Sequence, residues 1–178
     1  MISKKNTIRK LKTIDLIAKK NLNEIKEGPR SPVFLILDNI RSMYNVGAIF
    51  RTADAARIKK LYLCGITATP PRKELEKTSL KTIDFVPWEY YNDAKNIIKI
   101  LKSQGVQIVA LEQTDSSVDF RSFNYQKPVA IIIGHETNGV SDKLLPLCDA
   151  IVEIPMLGIA NSLNVATATG IILYHLIK

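Results

Sequence analysis

Short apolar runs alternate with amphipathic stretches along most of the sequence. Five runs, at 33–37, 60–64, 107–111, 129–134 and 150–154, are rich in Val, Ile and Leu. Because they are apolar at consecutive positions, they predict strands that are buried on both faces. A parallel sheet covered by helices on each side satisfies that requirement.

Three amphipathic stretches between and after these runs predict helices. The clearest covers about 93–104, with Asn92 as its N-cap and Gly105 just past its end. The others cover about 46–57, with Asn45 as a candidate cap, and about 162–177. Strands and helices in this alternating order predict an α/β fold, a doubly wound parallel sheet with helices on both faces.

The first thirty residues differ from the rest of the chain. Apolar residues recur there at helical spacing until the break Gly28-Pro29-Arg30-Ser31-Pro32. We therefore predict a basic helical arm over 1–30 and a single domain over 31–178.

Most of the net charge of +8 lies in that arm, which carries a net +6. Such a segment indicates a polyanionic partner such as the phosphate backbone of RNA. The alternative is a solvated helix face that binds nothing. The arm has three acids, Asp15, Glu24 and Glu27, and nine basic residues, Lys4, Lys5, Arg9, Lys10, Lys12, Lys19, Lys20, Lys26 and Arg30.

The last predicted helix has no charged residue between positions 165 and 173. A helix on the surface of a domain normally shows a polar stripe, so we expect this helix to be buried nearly all round. In so small a domain, that burial predicts that a second copy of the chain covers part of the helix in a homodimer.

Several functional classes have no signature in the sequence. No apolar run approaches the ~20 residues of a membrane span, and no secretory segment follows the basic start, which predicts a cytoplasmic protein without membrane contact. His135 and His175 form no metal-ligand spacing with each other or with the two cysteines, so no metal is expected. The glycine-rich, HExxH and GxSxG patterns of other enzyme classes are absent from the sequence.

Three polar clusters follow predicted strands, at 38–52, 134–139 and 154–165. Open α/β sheets bind ligands at the carboxyl ends of their strands, so the clusters are candidate functional loops. They contain three motifs, Asn45-x-Gly47-Ala48-Ile49-x-Arg51-Thr52, Gly134-x-Glu136-x-x-Gly139 and Ile154-Pro155-Met156-x-Gly158-x-x-x-Ser162-Leu163-Asn164-Val165. In this order they resemble the three motifs of the SpoU (TrmH) family of RNA 2′-O-ribose methyltransferases, in the SPOUT class.

The resemblance covers the chain from about residue 33 onward. It implies a C-terminal trefoil knot, a homodimer, and transfer of a methyl group from S-adenosylmethionine to a ribose 2′-hydroxyl of tRNA or rRNA. Carried over by motif, the residues expected to hold the cofactor are Leu111, Gly134, Ile154, Met156, Ser162 and Leu163. The basic arm lies outside the shared region.

The resemblance assigns the central catalytic role to Arg51. A guanidinium group is ordinarily protonated at every physiological pH, so two roles stay open for Arg51. A depressed pKa beside the sulfonium would make Arg51 a base, whereas a charged Arg51 would stabilise the forming alkoxide and grip a phosphate. A structural ion pair with Asp54 or Glu136 is the non-catalytic alternative.

Four more residues complete the predicted catalytic set. Glu136 is expected to orient Arg51 or its loop, and Asn45 to position Arg51 or the ribose. Ser162 and Asn164 are expected to contact cofactor or substrate, or simply to cap the last helix. A non-catalytic RNA-binding relative is the alternative function, while a nucleotide-dependent oxidoreductase lacks its glycine fingerprint.

Overall fold

The computed structural model describes Lys10, Asn21 and residues 26–177. Most of the predicted arm therefore lies outside the described residues. The described strands are β1 (Ser31–Asp38), β2 (Ile58–Cys64), β3 (Trp88–Tyr91), β4 (Gln107–Leu111), β5 (Val118–Asp119), β6 (Val129–Ile133) and β7 (Ala150–Glu153). The helices are α1 (Met43–Ala55), α2 (Lys73–Ser79), α3 (Ala94–Ser103) and α4 (Val165–Leu176), with short 3₁₀ helices at Thr82–Asp84 and Leu145–Leu147.

The seven strands form one parallel sheet in the order β3-β2-β1-β6-β4-β7-β5. The register aligns the carboxyl ends of the four central strands. Leu37 of β1 pairs with Ile133 of β6, Ile133 pairs with Leu111 of β4, and Leu111 pairs with Val152 of β7. The loops that follow these four strands therefore start side by side.

Apolar side chains cover both faces of the sheet, as consecutive apolar positions in the strands require. Helices α1, α2 and α4 pack on one face, where Phe50, Leu75 and Ile172 belong to the same buried cluster. Helix α3 packs on the other face through Ile97 and Ile98. The predicted α/β sheet with helices on both faces is confirmed.

The boundaries of the predicted elements shift by a few residues. Ser42, not Asn45, caps α1, because its hydroxyl accepts a hydrogen bond from the backbone N–H of Asn45 at 3.3 Å. Asp93, not Asn92, caps α3, since its carboxylate accepts from Lys95 N at 2.9 Å. Both predicted caps are wrong, because two polar residues suited to capping stand close together and the backbone turn decides between them.

Three elements are missing from the sequence-based prediction. Strand β3 reads Trp-Glu-Tyr-Tyr and lies at an edge of the sheet, so it lacks the apolar run of a central strand. Strand β5 has two residues, and α2 is a mostly polar seven-residue helix. Packing against the rest of the fold, not local pattern, stabilises such short elements.

The predicted linker is held against the domain. Arg57 donates hydrogen bonds to the carbonyls of Gly28 at 3.0 Å and Pro29 at 3.1 Å. Arg30 donates to the carbonyls of Ile58 at 3.3 Å and Phe85 at 2.5 Å. Hydrogen bonds therefore fix residues 28–30, which join the arm to the domain, against the domain.

Helix α4 buries one side only within a single chain. Thr169, Ile172, Leu173 and Leu176 are buried, whereas Thr167 and Tyr174 are exposed. Within one chain the helix therefore presents an uncharged exposed side, and the expectation that a second copy covers this side stays a prediction. None of the described helices is long and apolar enough to cross a membrane.

Candidate active site

A cavity of about 200 Å³ lies at the carboxyl ends of β4, β6 and β7. The register of the sheet brings these strand ends together, as expected for ligand sites of open α/β sheets. The cavity is lined by Leu111, Glu112, Gln113, Ile133, Gly134, His135, Glu136, Thr137, Gly139, Glu153, Ile154, Met156, Ser162, Leu163, Val165 and Ala168. All six residues predicted to hold the cofactor are in this set.

Two glycines let the backbone come close to itself beside the cavity. A Cβ on Gly134 would lie 2.0 Å from the carbonyl carbon of Gly139, so no side chain fits there. Gly139 has a φ of 67°, and a Cβ on it would lie 2.1 Å from Oε2 of Glu112. Glu112 Oε2 in turn accepts a hydrogen bond from Val140 N at 2.7 Å, which fixes the loop after β6.

A polar network beside the cavity joins residues from all three motifs. The carboxylate of Glu136 accepts hydrogen bonds from Asn45 Nδ2 at 2.8 Å, Ser42 N at 2.9 Å and Arg41 N at 3.0 Å. Asn45 Oδ1 accepts from Asn164 Nδ2 at 3.1 Å. The loops after β1, β6 and β7 are thus linked through Asn45.

Hydrogen bonding sets the protonation state of Glu136. Burial raises the pKa of its carboxyl, but the hydrogen bonds from Asn45, Ser42 and Arg41 stabilise the charged form more strongly. The net pKa therefore lies below the usual value for glutamate. Glu136 is a fixed negative charge that holds the loop after β1.

Asn164 has two roles at the start of α4. Its Oδ1 accepts from the backbone N–H groups of Ala166 at 2.9 Å and Thr167 at 3.4 Å, so it is the N-cap of the helix. Its amide nitrogen donates to Asn45. Of the two predicted caps, Asn164 serves as the N-cap of α4, while Ser162 lines the cavity.

Arg51 takes no part in the described hydrogen bonds of this network. It is exposed on α1 and is not among the residues that line the cavity. The oxygens of Glu136 bond to Asn45, Ser42 and Arg41, and none of the described ion pairs joins Glu136 to Arg51. These contacts support a role for Glu136 in orienting the loop after β1, and that role stays a prediction.

Residues 32–174 match the SpoU rRNA methylase family. The matched region holds all three motifs, the cavity and the polar network. The chain belongs to the SpoU family. The resemblance read from the motifs is thereby confirmed.

Individual SpoU proteins match over most of this chain. A tRNA (guanosine(18)-2′-O)-methyltransferase of Aquifex aeolicus is 35% identical over 88% of this chain and 74% of its own length. The crystal structure of the A. aeolicus TrmH/SpoU tRNA modifying enzyme superposes with a TM-score of 0.79 at 34% identity, covering 88% of this chain and 79% of that chain. The crystal structure of an AdoMet-bound rRNA methyltransferase from Sinorhizobium meliloti superposes with a TM-score of 0.75 at 34% identity, covering 80% of this chain and 54% of that chain.

The SpoU motifs do not include every side chain at the cavity. Glu112 and Gln113 directly follow β4, and Glu153 is the last residue of β7. Gln113 Nε2 donates to the carbonyl of Asn161 at 3.0 Å, which ties the loop after β4 to the third motif. The sequence signal for Glu112 and Gln113 was their place directly after a predicted strand, and that for Glu153 was a charged residue near the carboxyl end of an otherwise apolar strand, since that edge of a sheet is where ligands bind.

Proposed function

We propose that this chain, an S-adenosylmethionine-dependent RNA 2′-O-methyltransferase of the SpoU family, binds its methyl donor in the cavity beside Glu136. The observation that carries the proposal is that six residues from three separate segments, carried over from the SpoU resemblance, line one cavity. The polar network of Asn45, Glu136 and Asn164 lies at its border. We place the ribose that receives the methyl group next to that network.

The charges around the cavity suit a cationic donor. Glu112, Glu136 and Glu153 line it, and none of the described residues that line it is Lys or Arg. A sulfonium and an ammonium group in a partly enclosed space are stabilised by such carboxylates. The residues present therefore fit S-adenosylmethionine.

When bound, S-adenosylmethionine would supply the methyl group for the ribose oxygen and would leave as S-adenosylhomocysteine, while the hydroxyl proton would pass to water or another group. The protein must hold the ribose in line and stabilise the charge that forms on its oxygen. Glu136 keeps the first turn of α1 in place, and Asn45 in that turn can then orient the ribose. Arg51, on the same helix α1, acts as a charged clamp for the substrate phosphate and the forming alkoxide.

We also propose that the chain carries the C-terminal trefoil knot that the SpoU resemblance implies, and that it works as a homodimer. Membership of the SpoU family supports the knot. The uncharged exposed side of α4 supports the homodimer. A cytoplasmic location stays a prediction.

The deciding experiment follows labelled methyl from S-adenosylmethionine into bulk tRNA and rRNA. Alkaline hydrolysis then separates RNA methylated on the ribose from RNA methylated on a base. A methylated 2′-oxygen cannot attack the neighbouring phosphate, so the chain is not cleaved at that position. We expect the label in alkali-resistant dinucleotides. Label in the bases, or RNA binding without any transfer, would contradict the proposal, and the second result would favour the non-catalytic relative.

A matched pair of variants tests the position of the donor. Ala168 lines the cavity, so Ala168→Leu should weaken S-adenosylmethionine binding by about tenfold or more in calorimetry. Ala55 is an exposed residue at the end of α1, and Ala55→Leu should leave the affinity unchanged. Equal affinities in the two variants would place the donor elsewhere.

A further inference from the structure

A second cleft, of about 440 Å³, opens at the same edge of the sheet, on the side of β2 and β3. Its walls come from the loop after β1, the loop after β2 and the outer strand β3. The residues that line it are Arg41, Met43, Ile66, Thr67, Ala68, Thr69, Arg72, Trp88 and Tyr90. None of them belongs to the three SpoU motifs.

Hydrogen bonds between the two loops hold the walls of this cleft in place. The buried hydroxyl of Thr67 accepts from Ile40 N at 3.0 Å and donates to the carbonyl of Leu37 at 3.2 Å. Asn39 Oδ1 accepts from Ile66 N at 3.1 Å. The cleft is therefore formed before any ligand arrives, which lowers the cost of binding.

The charge of the second cleft is opposite to that of the first cavity. Arg41 and Arg72 line the cleft and are exposed, and none of its described lining residues is Asp or Glu. The first cavity has three glutamates in its lining and no Lys or Arg among the described residues there. A phosphate backbone is thus repelled by the cavity and attracted by the cleft.

The cleft also offers aromatic surface. Trp88 and Tyr90 lie two residues apart on β3 and so project on the same face of the edge strand. Tyr90 is 44% exposed, and its hydroxyl donates to the carbonyl of Gly65 at 3.0 Å, which limits rotation of the ring. Trp88 is half-buried against the core, so Tyr90 is the more accessible of the two rings. An accessible aromatic ring next to arginines is a typical surface for stacking nucleobases.

We infer that this cleft is an RNA subsite for a nucleotide that flanks the methylated one. A base packs against Trp88 and Tyr90, and phosphates lie at Arg41 and Arg72. The backbone N–H of Arg41 donates to Glu136, so the cleft begins at a residue that contacts the polar network. The inference rests on the proposed function, because it concerns the RNA that the enzyme methylates.

Trp88 gives a direct readout, since it is the only tryptophan in the chain. An unmodified tRNA transcript, titrated into the full-length protein, should quench its fluorescence with the same midpoint as polarisation of the labelled transcript. Binding of the transcript with no change in Trp88 fluorescence would overturn the inference.

Variants separate the contributions of ring and charge. Tyr90→Leu should weaken transcript binding about tenfold, while Tyr90→Phe, which keeps the ring, should bind as the wild type does. Arg72→Gln should weaken binding and lower the salt slope by about 0.7–0.9. Lys99→Gln serves as the charge control, because Lys99 is exposed on α3, on the other face of the sheet.

Steady-state kinetics distinguish a substrate subsite from damage to the active site. Tyr90→Leu and Arg72→Gln should raise KM for the transcript while kcat and the affinity for S-adenosylmethionine stay close to wild type. Variants with wild-type KM would contradict the inference and leave the proposed function intact. Failure of the proposed function itself would appear as the absence of methyl transfer by the wild-type protein.

Discussion

At the scale of single residues, Glu136 organises the site. Its carboxylate accepts three hydrogen bonds from the loop and helix that follow β1, although it lies far away in sequence, after β6. Two of its three donors are backbone N–H groups, which belong to no motif. A charged acceptor with three donors is a strong fixing point for a loop.

Glu136→Gln should destabilise the protein although the two side chains have the same shape. The amide has one acceptor oxygen, and its NH₂ group would face a backbone N–H donor. We expect a loss of about 1–3 kcal/mol in the free energy of unfolding by urea at neutral pH. Glu76→Gln, at an exposed position of α2, is the control and should change it little.

The difference in the free energy of unfolding between the wild type and Glu136→Gln should depend on pH. Because the folded-state pKa of Glu136 is lowered, its contribution is complete above the ordinary glutamate pKa of about 4.3 and is lost as pH falls through the lower folded value. Unfolding measurements from neutral pH downward should therefore show the two proteins converging below about pH 4. A constant difference across this range would mean that the charge of Glu136 is not what holds the loop.

Arg51 can be tested without disturbing the cavity, which it does not line. Arg51→Ala should abolish methyl transfer and leave the calorimetric affinity for S-adenosylmethionine nearly unchanged. Arg51→Lys keeps the charge but loses the planar fork, so a clamp predicts severe loss at every pH, whereas a base predicts partial recovery at high pH. Lost cofactor affinity, or retained transfer, in Arg51→Ala would refute the assignment.

At the scale of elements, the site depends on where helices begin. The first turns of α1 and α4 lie next to each other at Asn45 and Asn164, and each helix starts directly after a loop of the site. Capping and positioning are therefore combined in Asn164. A change at this residue affects both the helix and the network.

Two substitutions separate these roles of Asn164. Asn164→Asp keeps an oxygen acceptor for the cap, and its negative charge suits a helix N-terminus, but it cannot donate to Asn45. We expect near wild-type thermal stability with a large loss of methyl transfer. Asn164→Ala should lose both the transfer and about 1 kcal/mol of stability.

Asp93→Ala is the capping control, because Asp93 caps α3 on the opposite face of the sheet; the exposed ion pair with Lys143 that it also loses contributes little. Asp93→Ala should lower the melting temperature about as much as Asn164→Ala does and should leave the rate of methyl transfer per folded molecule unchanged. If Asn164→Asp were fully active, the hydrogen bond between Asn164 and Asn45 would have no part in the reaction.

At the scale of the whole molecule, the exposed side of α4 indicates how copies associate. Tyr174 is 53% exposed on an uncharged helix. Ala168, by contrast, lines the cavity, so a charge there would test cofactor binding instead of association. Light scattering at micromolar concentration should give a dimer for the wild type.

Tyr174→Glu should shift that dimer towards monomer, because a charge at the interface loses hydration. Ile100 is an exposed apolar residue of α3 on the other face of the sheet, so Ile100→Glu should leave the molar mass measured by light scattering unchanged. A wild-type monomer, or a Tyr174→Glu protein that is still dimeric, would exclude α4 as the interface.

The basic arm should add RNA affinity without adding chemistry. Residues 1–25 carry seven Lys/Arg, and replacing these by Gln should reduce the salt slope of RNA binding by roughly 4–5 if about six contact phosphates. Transfer at saturating RNA should be unchanged. An unaltered slope would favour the alternative of a solvated helix face.

The sequence by itself determined the class of fold and the three motifs, and through the SpoU resemblance it pointed to six of the residues that line the cavity. Consecutive apolar positions require a covered parallel sheet, and the polar clusters after strands mark its functional edge. These signals are local, so they can be read from neighbouring positions. The match of all six predicted cofactor residues to one cavity shows how far such signals reach.

Only the tertiary structure decided which groups meet. The strand order places β6 between β1 and β4, and that order brings Glu136 to Asn45 and leaves Arg51 outside the cavity. The edge strand β3, with Trp88 and Tyr90, was invisible as a pattern because its stability comes from pairing with β2. Contacts between residues far apart in sequence depend on register and packing, which no local pattern specifies.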